Sequence, residues 1–306
     1  MNKRLTFLLK LIIGISVLGF LFYTIGFQKI IGTILTVNYL SLIIVFITII
    51  LNNIIGPWNL LVLTNKLKKI KFLSMLKYYI LSWSLGLFVL GKIGEFSIVY
   101  FLKKEGLSIG EAFVVSILDK FITFLTLVII SMFGFFLFFD FSVAMRLILV
   151  LLLIIVLFLF FMITNLGRDL IKKFILRKYA YLFQGFFKTL SLFFRKYLDA
   201  LFLNFLLTLI KWFIMTIGMI ALFWGFGQTL SFINVLLVFS MGTIISLIPI
   251  SISGLGIRES AFVFLFAKLG VNAEVTASVA LIILVLNYLT AILSLIFFRV
   301  EEIKYF

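Results

Sequence analysis

Apolar stretches of about 20 residues recur along the whole chain, at roughly 5–27, 38–63, 111–139, 145–164, 199–226 and 275–297. Each is long enough to cross a hydrocarbon core of about 30 Å as an α-helix. Two further apolar regions, 74–102 and 231–268, are interrupted near the middle, one by Gly91-Lys92-Ile93-Gly94-Glu95 and the other by Pro249 through Glu259. The pattern predicts an all-α polytopic membrane protein with about six full spans and two oppositely oriented broken, re-entrant helical hairpins. No stretch is long and polar enough for a soluble domain, so residues 1–306 read as a single transmembrane domain.

Basic residues orient the spans, because Lys and Arg accumulate on the cytoplasmic side. If both interrupted regions enter and leave on one side, only Lys29, Arg146 and Lys268 of the 27 basic residues lie outside. Lys92, Lys120, Lys211 and Arg258 fall inside apolar regions, and all the others are cytoplasmic, as are both termini. Letting 72–91 cross completely would instead place the strongly basic stretch 166–197 outside. With the hairpins, the two breaks enter from opposite faces and their tips can meet. Irregular backbone survives at membrane depth only when it lines a cavity or is buried in protein, which is how many transporters build a substrate site.

Segment 168–197 differs in kind. Ile171, Phe174, Phe183, Phe186, Leu190 and Phe194 recur at helical spacing, while Lys172, Lys173, Arg177 and Lys178 fill much of the other face. The segment reads as a cytoplasmic interfacial amphipathic helix, broken at Gly185, lying on an anionic leaflet, where it either anchors the topology or captures substrate lipid.

Composition narrows the chemistry. The 64% hydrophobic content and net charge of +16 fit a membrane protein whose positive loops face inward, so the charge does not indicate a nucleic-acid partner. The 40 Phe read as compositional bias. With no His and no Cys, histidine bases, thiolate chemistry and the commonest metal ligands are absent, and no cofactor or metal site is expected. Met1-Asn2-Lys3-Arg4 before an apolar run resembles a signal peptide, but no small-residue cleavage site follows, so it reads as a retained helix.

The informative residues are therefore ionisable groups at membrane depth, which are costly there and usually functional or paired. In the second break Pro249 removes a backbone donor, Gly254 and Gly256 permit tight turning, and Ser251 and Ser253 can satisfy freed backbone groups or a ligand oxygen. A helix starting near Gly256 would offer N–H groups to an anion, with Arg258 as a phosphate clamp and Glu259 as its balance. The alternative is a structural Arg258–Glu259 lock. Lys92 and Glu95 sit three apart in the first break; Asp119 and Lys120 lie in the following helix and can neutralise each other, and Lys211 is available to neutralise one of the acids.

These residues carry a family resemblance. Gly91-Lys92-Ile93-Gly94-Glu95, followed by Lys103-Lys104-Glu105-Gly106-Leu107-Ser108, resembles the first signature of the lysylphosphatidylglycerol synthase transmembrane-region family, also called the flippase-like domain. That signature is Pro-Gly-Arg-x-Gly-Glu, a basic pair, a Gly and a Ser before a helix bearing Glu-Arg. Pro249 through Glu259 resembles the second, Pro-x-Ser-x-Gly-Gly-x-Gly-x-Arg-Glu, with its later Gly-Val matched by Gly270-Val271. Leu90 stands for the family's Pro, Lys92 for its Arg, Ile98 for an Arg often present, Ser253 for one Gly, and Asp119-Lys120 for Glu-Arg. The resemblance implies a stand-alone member without the aminoacyl-transferase domain. Relatives include the membrane half of the multiple peptide resistance factor, which moves aminoacylated phosphatidylglycerol between leaflets.

The expected function is that of a cell-membrane lipid translocase, not an enzyme, moving an anionic or lipid-linked headgroup between leaflets. Its expected substrate-binding residues are Lys92, Glu95, Asp119, Lys120, Ser251, Ser253, Gly254, Gly256, Arg258 and Glu259. The partners would be a phospholipid or polyprenyl-linked lipid, the anionic cytoplasmic leaflet, and a further copy of the chain or a membrane enzyme. The alternative is a non-catalytic partner that scaffolds a glycosyl- or lipid-transferring enzyme. An intramembrane transferase would have to use Glu95, Asp119 or Glu259 as its base. Because the chain is free of cysteine, Ser108→Cys and Lys188→Cys, introduced singly, are expected to react with impermeant reagents only from the cytoplasm, and Lys268→Cys only from outside. Opposite sidedness for the first two would refute the first hairpin.

Overall fold

The computed structural model describes residues 3–176 and 183–298, except the side chains of residues 3–8, 90–92, 172, 175 and 176. Among the described residues the regular structure is entirely helical. Five helices are long and apolar enough to cross a membrane: α3 (Tyr39–Thr64), α6 (Ile109–Phe138), α7 (Phe141–Ile163), α10 (Leu198–Gly225) and α13 (Ala273–Phe297). They match five of the six expected spans to within a few residues. Each exposes a row of large apolar side chains, such as Leu149, Leu153 and Val156 on α7, as a surface in contact with lipid tails must.

The remaining expected span is more complicated. Helix α1 (Lys3–Ile25) ends at Gly26, where φ is 100°, and the chain turns by 83° into α2 (Phe27–Leu35). This second helix, unforeseen in the sequence, buries Ile30 with Leu21 and Ala277 and packs on α13. Nine residues with a lone buried Ile carry too little periodic signal to be read unaided.

Both interrupted regions are broken where the sequence places the breaks. Helix α4 (Phe72–Phe88) gives way to a 3-10 segment, Leu90–Ser97, and then to the short α5 (Ile98–Lys104). Helix α11 (Phe232–Ser246) gives way to irregular chain, a single 3-10 turn (Ile252–Gly254) and α12 (Ile257–Ala267). At 1.5 Å per residue α4 and α11 measure about 26 and 22 Å, short of the hydrocarbon core of about 30 Å. Each supplies most of a crossing and then stops.

The chain divides into two compact units. The first comprises Met1–Ile54, Tyr79–Glu95 and Ile210–Phe306. Within it α12 packs against α11, α13 and α1, and α1 also covers the 3-10 turn of the second break. Phe223, Phe262 and Phe266 interlock there, with ring centroids 4.6 Å apart for Phe223 and Phe266 and 6.3 Å for Phe262 and Phe266. The second unit comprises Ile55–Tyr78 and Phe96–Leu209 and is built on α6, which packs against α5, α7 and α9 (Phe186–Lys196). Ser108 begins α6 with a capping box: its hydroxyl accepts from the Glu111 N–H at 3.2 Å, and its own N–H donates to the Glu111 carboxylate at 2.8 Å.

Within the amphipathic segment, α9 starts after Gly185, whose φ is 81°. α8 (Asn165–Leu170) runs into a π-helical turn, Ile171–Leu176, while Arg177, Lys178 and the other residues to 182 lie outside the described residues. Helix α9 directs Phe186, Leu190 and Phe193 into the protein against α6 and α7, and keeps Arg195 and Lys196 in its last turn. Phe113 of α6 meets Phe183 at 5.2 Å and Phe186 at 5.9 Å. The apolar face of α9 is thus spent on helix packing.

Close backbone approach holds the first break. A Cβ on Gly94 would collide with the carbonyl of Leu85 and come within 2.8 Å of the Gly86 nitrogen, so the 3-10 segment folds directly back on the end of α4. Gly94→Ala is expected to lower stability by roughly 1–3 kcal/mol, as other overpacking changes do. Gly19→Ala, at a helical glycine with nothing within 4 Å, is expected to leave it unchanged or raise it. Thermal unfolding in detergent compares the two.

Candidate functional site

The second break is organised by its own charged pair. Glu259 is almost fully buried at 1% exposure, and its two oxygens have separate tasks. Oε2 accepts the Gly256 N–H at 2.7 Å, closing the start of α12. Oε1 accepts from Arg258 Nε at 3.1 Å and Nη2 at 2.8 Å. One N–H at the helix N-terminus expected to face a ligand, that of Gly256, is therefore taken by the chain's own carboxylate. A buried carboxylate needs such partners, since an unpaired charge in a low-dielectric interior is very expensive. Arg258 itself remains 23% exposed. Its guanidinium has donors beyond those turned to Glu259, because five N–H bonds radiate from the group.

The chain reaches this geometry through three positive-φ positions, Ser253, Gly254 and Gly256, with Leu255 between the last two at φ -52°. Gly254 and Gly256 have φ of 77° and 79°, and a Cβ on either would crowd backbone, that of Ser246 at 3.0 Å or Gly14 O at 2.7 Å. Ser253, at φ 49°, is the only non-glycine residue with positive φ among the described residues. A left-handed conformation costs an L-residue about 1–2 kcal/mol. Here a hydrogen bond offsets it: Ser253 Oγ donates to the carbonyl of Gly86 at 2.9 Å.

That bond joins the two breaks, since Gly86 lies in the last turn of α4 just before the first break. Tyr288 of α13 reinforces the junction by donating to the Leu87 carbonyl at 3.2 Å and packing edge-on against Phe88 at 5.4 Å. Tyr288 also lies within electrostatic range of Arg258 and Glu259. Backbone carbonyls orphaned where α4 ends are thereby satisfied by side chains from the second hairpin and α13. Ser251 is buried close by in sequence, with its hydroxyl unpartnered. Glu95 packs its side chain against Gly86. The first compact unit thus brings together Glu95, Ser251, Ser253, Gly254, Gly256, Arg258 and Glu259, while the side chain of Lys92 lies outside the described residues.

A family model described as lysylphosphatidylglycerol synthase TM region matches residues 7–294. The chain belongs to this family. Among curated proteins, none matches it. Two signature positions of this lysylphosphatidylglycerol synthase-type chain now have physical reasons. The glycine replaced by Ser253 falls at the one non-glycine left-handed residue, and the terminal acid of the signature, Glu259, caps the helix that the glycines start.

Asp119 and Lys120 belong to the second unit. They form an ion pair at 3.3 Å, with Asp119 buried and Lys120 about one-third exposed. Asp119 Oδ1 also accepts from Asn204 Nδ2 at 3.3 Å. The Lys211 ammonium meets the Tyr79 hydroxyl at 3.2 Å and lies over the same ring at 5.4 Å. A phenol and its π-face supply the partner that the sequence suggested would be a carboxylate. Asn59, Asn204, Thr208, Tyr79 and Tyr288 were not singled out from the sequence. Their signal was polarity within apolar spans, Asn204 and Thr208 lying one turn apart on α10. Among the described residues no three His, Cys, Asp or Glu side chains gather as a metal site.

The Ser253 bond gives a direct test. Ser253→Ala keeps the backbone penalty and loses the bond, so it is expected to destabilise by about 1–2 kcal/mol. Ser253→Gly loses both and is expected to fall closer to the parent. No loss of thermal stability in Ser253→Ala would show that the hydroxyl contributes nothing to joining the breaks, and equal losses in the two variants would show that the left-handed backbone costs nothing there.

Proposed function

We propose that the chain moves a lipid with an anionic headgroup between membrane leaflets without altering it covalently. The observation that carries this reading is the contact between two broken helices, Ser253 on Gly86, beside a partly exposed arginine in a membrane protein. Interrupted helices meeting at a polar site are how transporters expose backbone and charge to a substrate while shielding them from lipid tails. In this proposal Arg258 receives the headgroup phosphate through donors not turned to Glu259, and Glu259 stays in place as the cap of α12. Ser251 supplies a further hydroxyl, and Glu95 packs beside Gly86 at the first break. The tails remain in the bilayer. The chain sits in the cell membrane with both termini in the cytoplasm, and the basic stretch 168–196 faces the anionic leaflet.

Arg258→Lys is expected to preserve folding and cut lipid movement in reconstituted vesicles by at least tenfold, because a lysine cannot reproduce a bidentate phosphate contact. Arg258→Ala alone strands a buried carboxylate and is expected to cost about 3–5 kcal/mol. Adding Glu259→Gln removes the stranded charge while an amide oxygen still accepts the Gly256 N–H. The double variant is therefore expected to recover stability but not lipid movement. Flux returning together with stability would make the pair a structural lock, remove Arg258 from the site and leave the translocation reading resting on the first break alone.

A further inference from the structure

The second unit contains a polar cluster that the translocation reading does not use. Helices α3, α6 and α10 contribute Asn59, then Ser116 and Asp119, then Asn204 and Thr208. All five are buried to 97% or more. Asn204 Nδ2 donates to the Asn59 backbone carbonyl at 2.8 Å and to Asp119 Oδ1 at 3.3 Å. Both of those neighbours are acceptors, which fixes the direction of the Asn204 amide. Asn59 Nδ2 donates to Thr208 Oγ1 at 2.8 Å. Both amide nitrogens thus donate, whereas Asn59 Oδ1, Asn204 Oδ1 and Ser116 Oγ have no partner.

Buried polar atoms are normally satisfied, and a hydrocarbon environment makes the requirement stricter. The unpaired atoms are all oxygens, and they belong to side chains of the same buried cluster as the Asp119 carboxylate. Hard oxygen donors of this kind suit a hard cation. A proton would satisfy one of these oxygens, whereas a metal cation can engage several together. Lys120 already holds Asp119 Oδ2, but it is about one-third exposed and its long side chain can turn outward.

We propose that Asp119, Asn59, Asn204 and Ser116 form a binding site for a small monovalent metal cation such as sodium, with Thr208 as an additional oxygen. The cation and the Lys120 ammonium compete for the Asp119 carboxylate, so filling the site loosens the pair. The site does not depend on the lipid-translocation reading. Only a role in offsetting the charge of a moving anionic lipid would rest on it.

The test needs no lipid movement. Purified full-length protein is heated in sodium chloride or in N-methyl-D-glucamine chloride at equal ionic strength and fixed pH. A saturable rise in unfolding temperature of roughly 5 °C is expected with sodium, the size that ligand concentrations well above Kd produce in a chain of this order. Asn204→Asp, which adds a charged oxygen, and Lys120→Gln, which removes the competing ammonium, are each expected to lower the half-saturating sodium concentration at least threefold. Asp119→Asn is expected to abolish the response. If that variant does not fold, the other two decide. Identical melting in the two salts overturns the proposal, as does a half-saturation unmoved in both variants. A melting temperature that follows pH and not sodium assigns the cluster to a proton and also overturns it.

Discussion

A helix that stops at membrane depth leaves backbone N–H and C=O groups with no water to take them, and the organisation of the first unit follows from that constraint. The end of α4 and the start of α12 are two of the places where it acts. At α12 the Glu259 carboxylate takes the Gly256 N–H. At α4 the Ser253 and Tyr288 hydroxyls take the carbonyls of Gly86 and Leu87. The second break is thus completed by its own carboxylate and the first by hydroxyls from elsewhere in the chain, and the Ser253 contact joins the two.

The same constraint explains the distribution of charge. Satisfying an N–H with a buried carboxylate creates a need for a cation, and Arg258 meets it from the adjacent position. In the second unit Lys120 stands in the same relation to Asp119. Adjacent acid–base neighbours let a helix carry a buried charge into the membrane without relying on a distant partner. In each pair the acid is buried and the base partly exposed, which leaves the base as the group able to meet something outside the chain. Lys211 follows another route, resting on the hydroxyl and ring of Tyr79.

Family membership and geometry bear on different questions. The match over residues 7–294 establishes which kind of membrane domain this is. The geometry separates roles that one motif compresses: two glycines that turn, a serine that joins, an acid that caps and an arginine that stays accessible. A phosphate does not need to displace Glu259 from the helix terminus to reach that arginine.

Spans, breaks and the helical class were legible in the sequence because they follow from local composition: about 20 apolar residues make a span, and glycines with charge inside an apolar run mark its interruption. The Arg258–Glu259 and Asp119–Lys120 pairs were legible for the same reason, their partners being chain neighbours. The junction of Ser253 with Gly86 was not, since it joins residues 167 positions apart through a backbone carbonyl that every residue possesses. Nor was the gathering of Asn59, Asn204 and Asp119, which depends on which faces of three apolar helices meet. The apolar face of α9 shows the limit most plainly. Its periodicity is the same whether it covers lipid or protein, and only packing against Phe113 and the rest of α6 decided for protein. Hydrophobic pattern specifies that a face must be buried, while tertiary structure specifies against what.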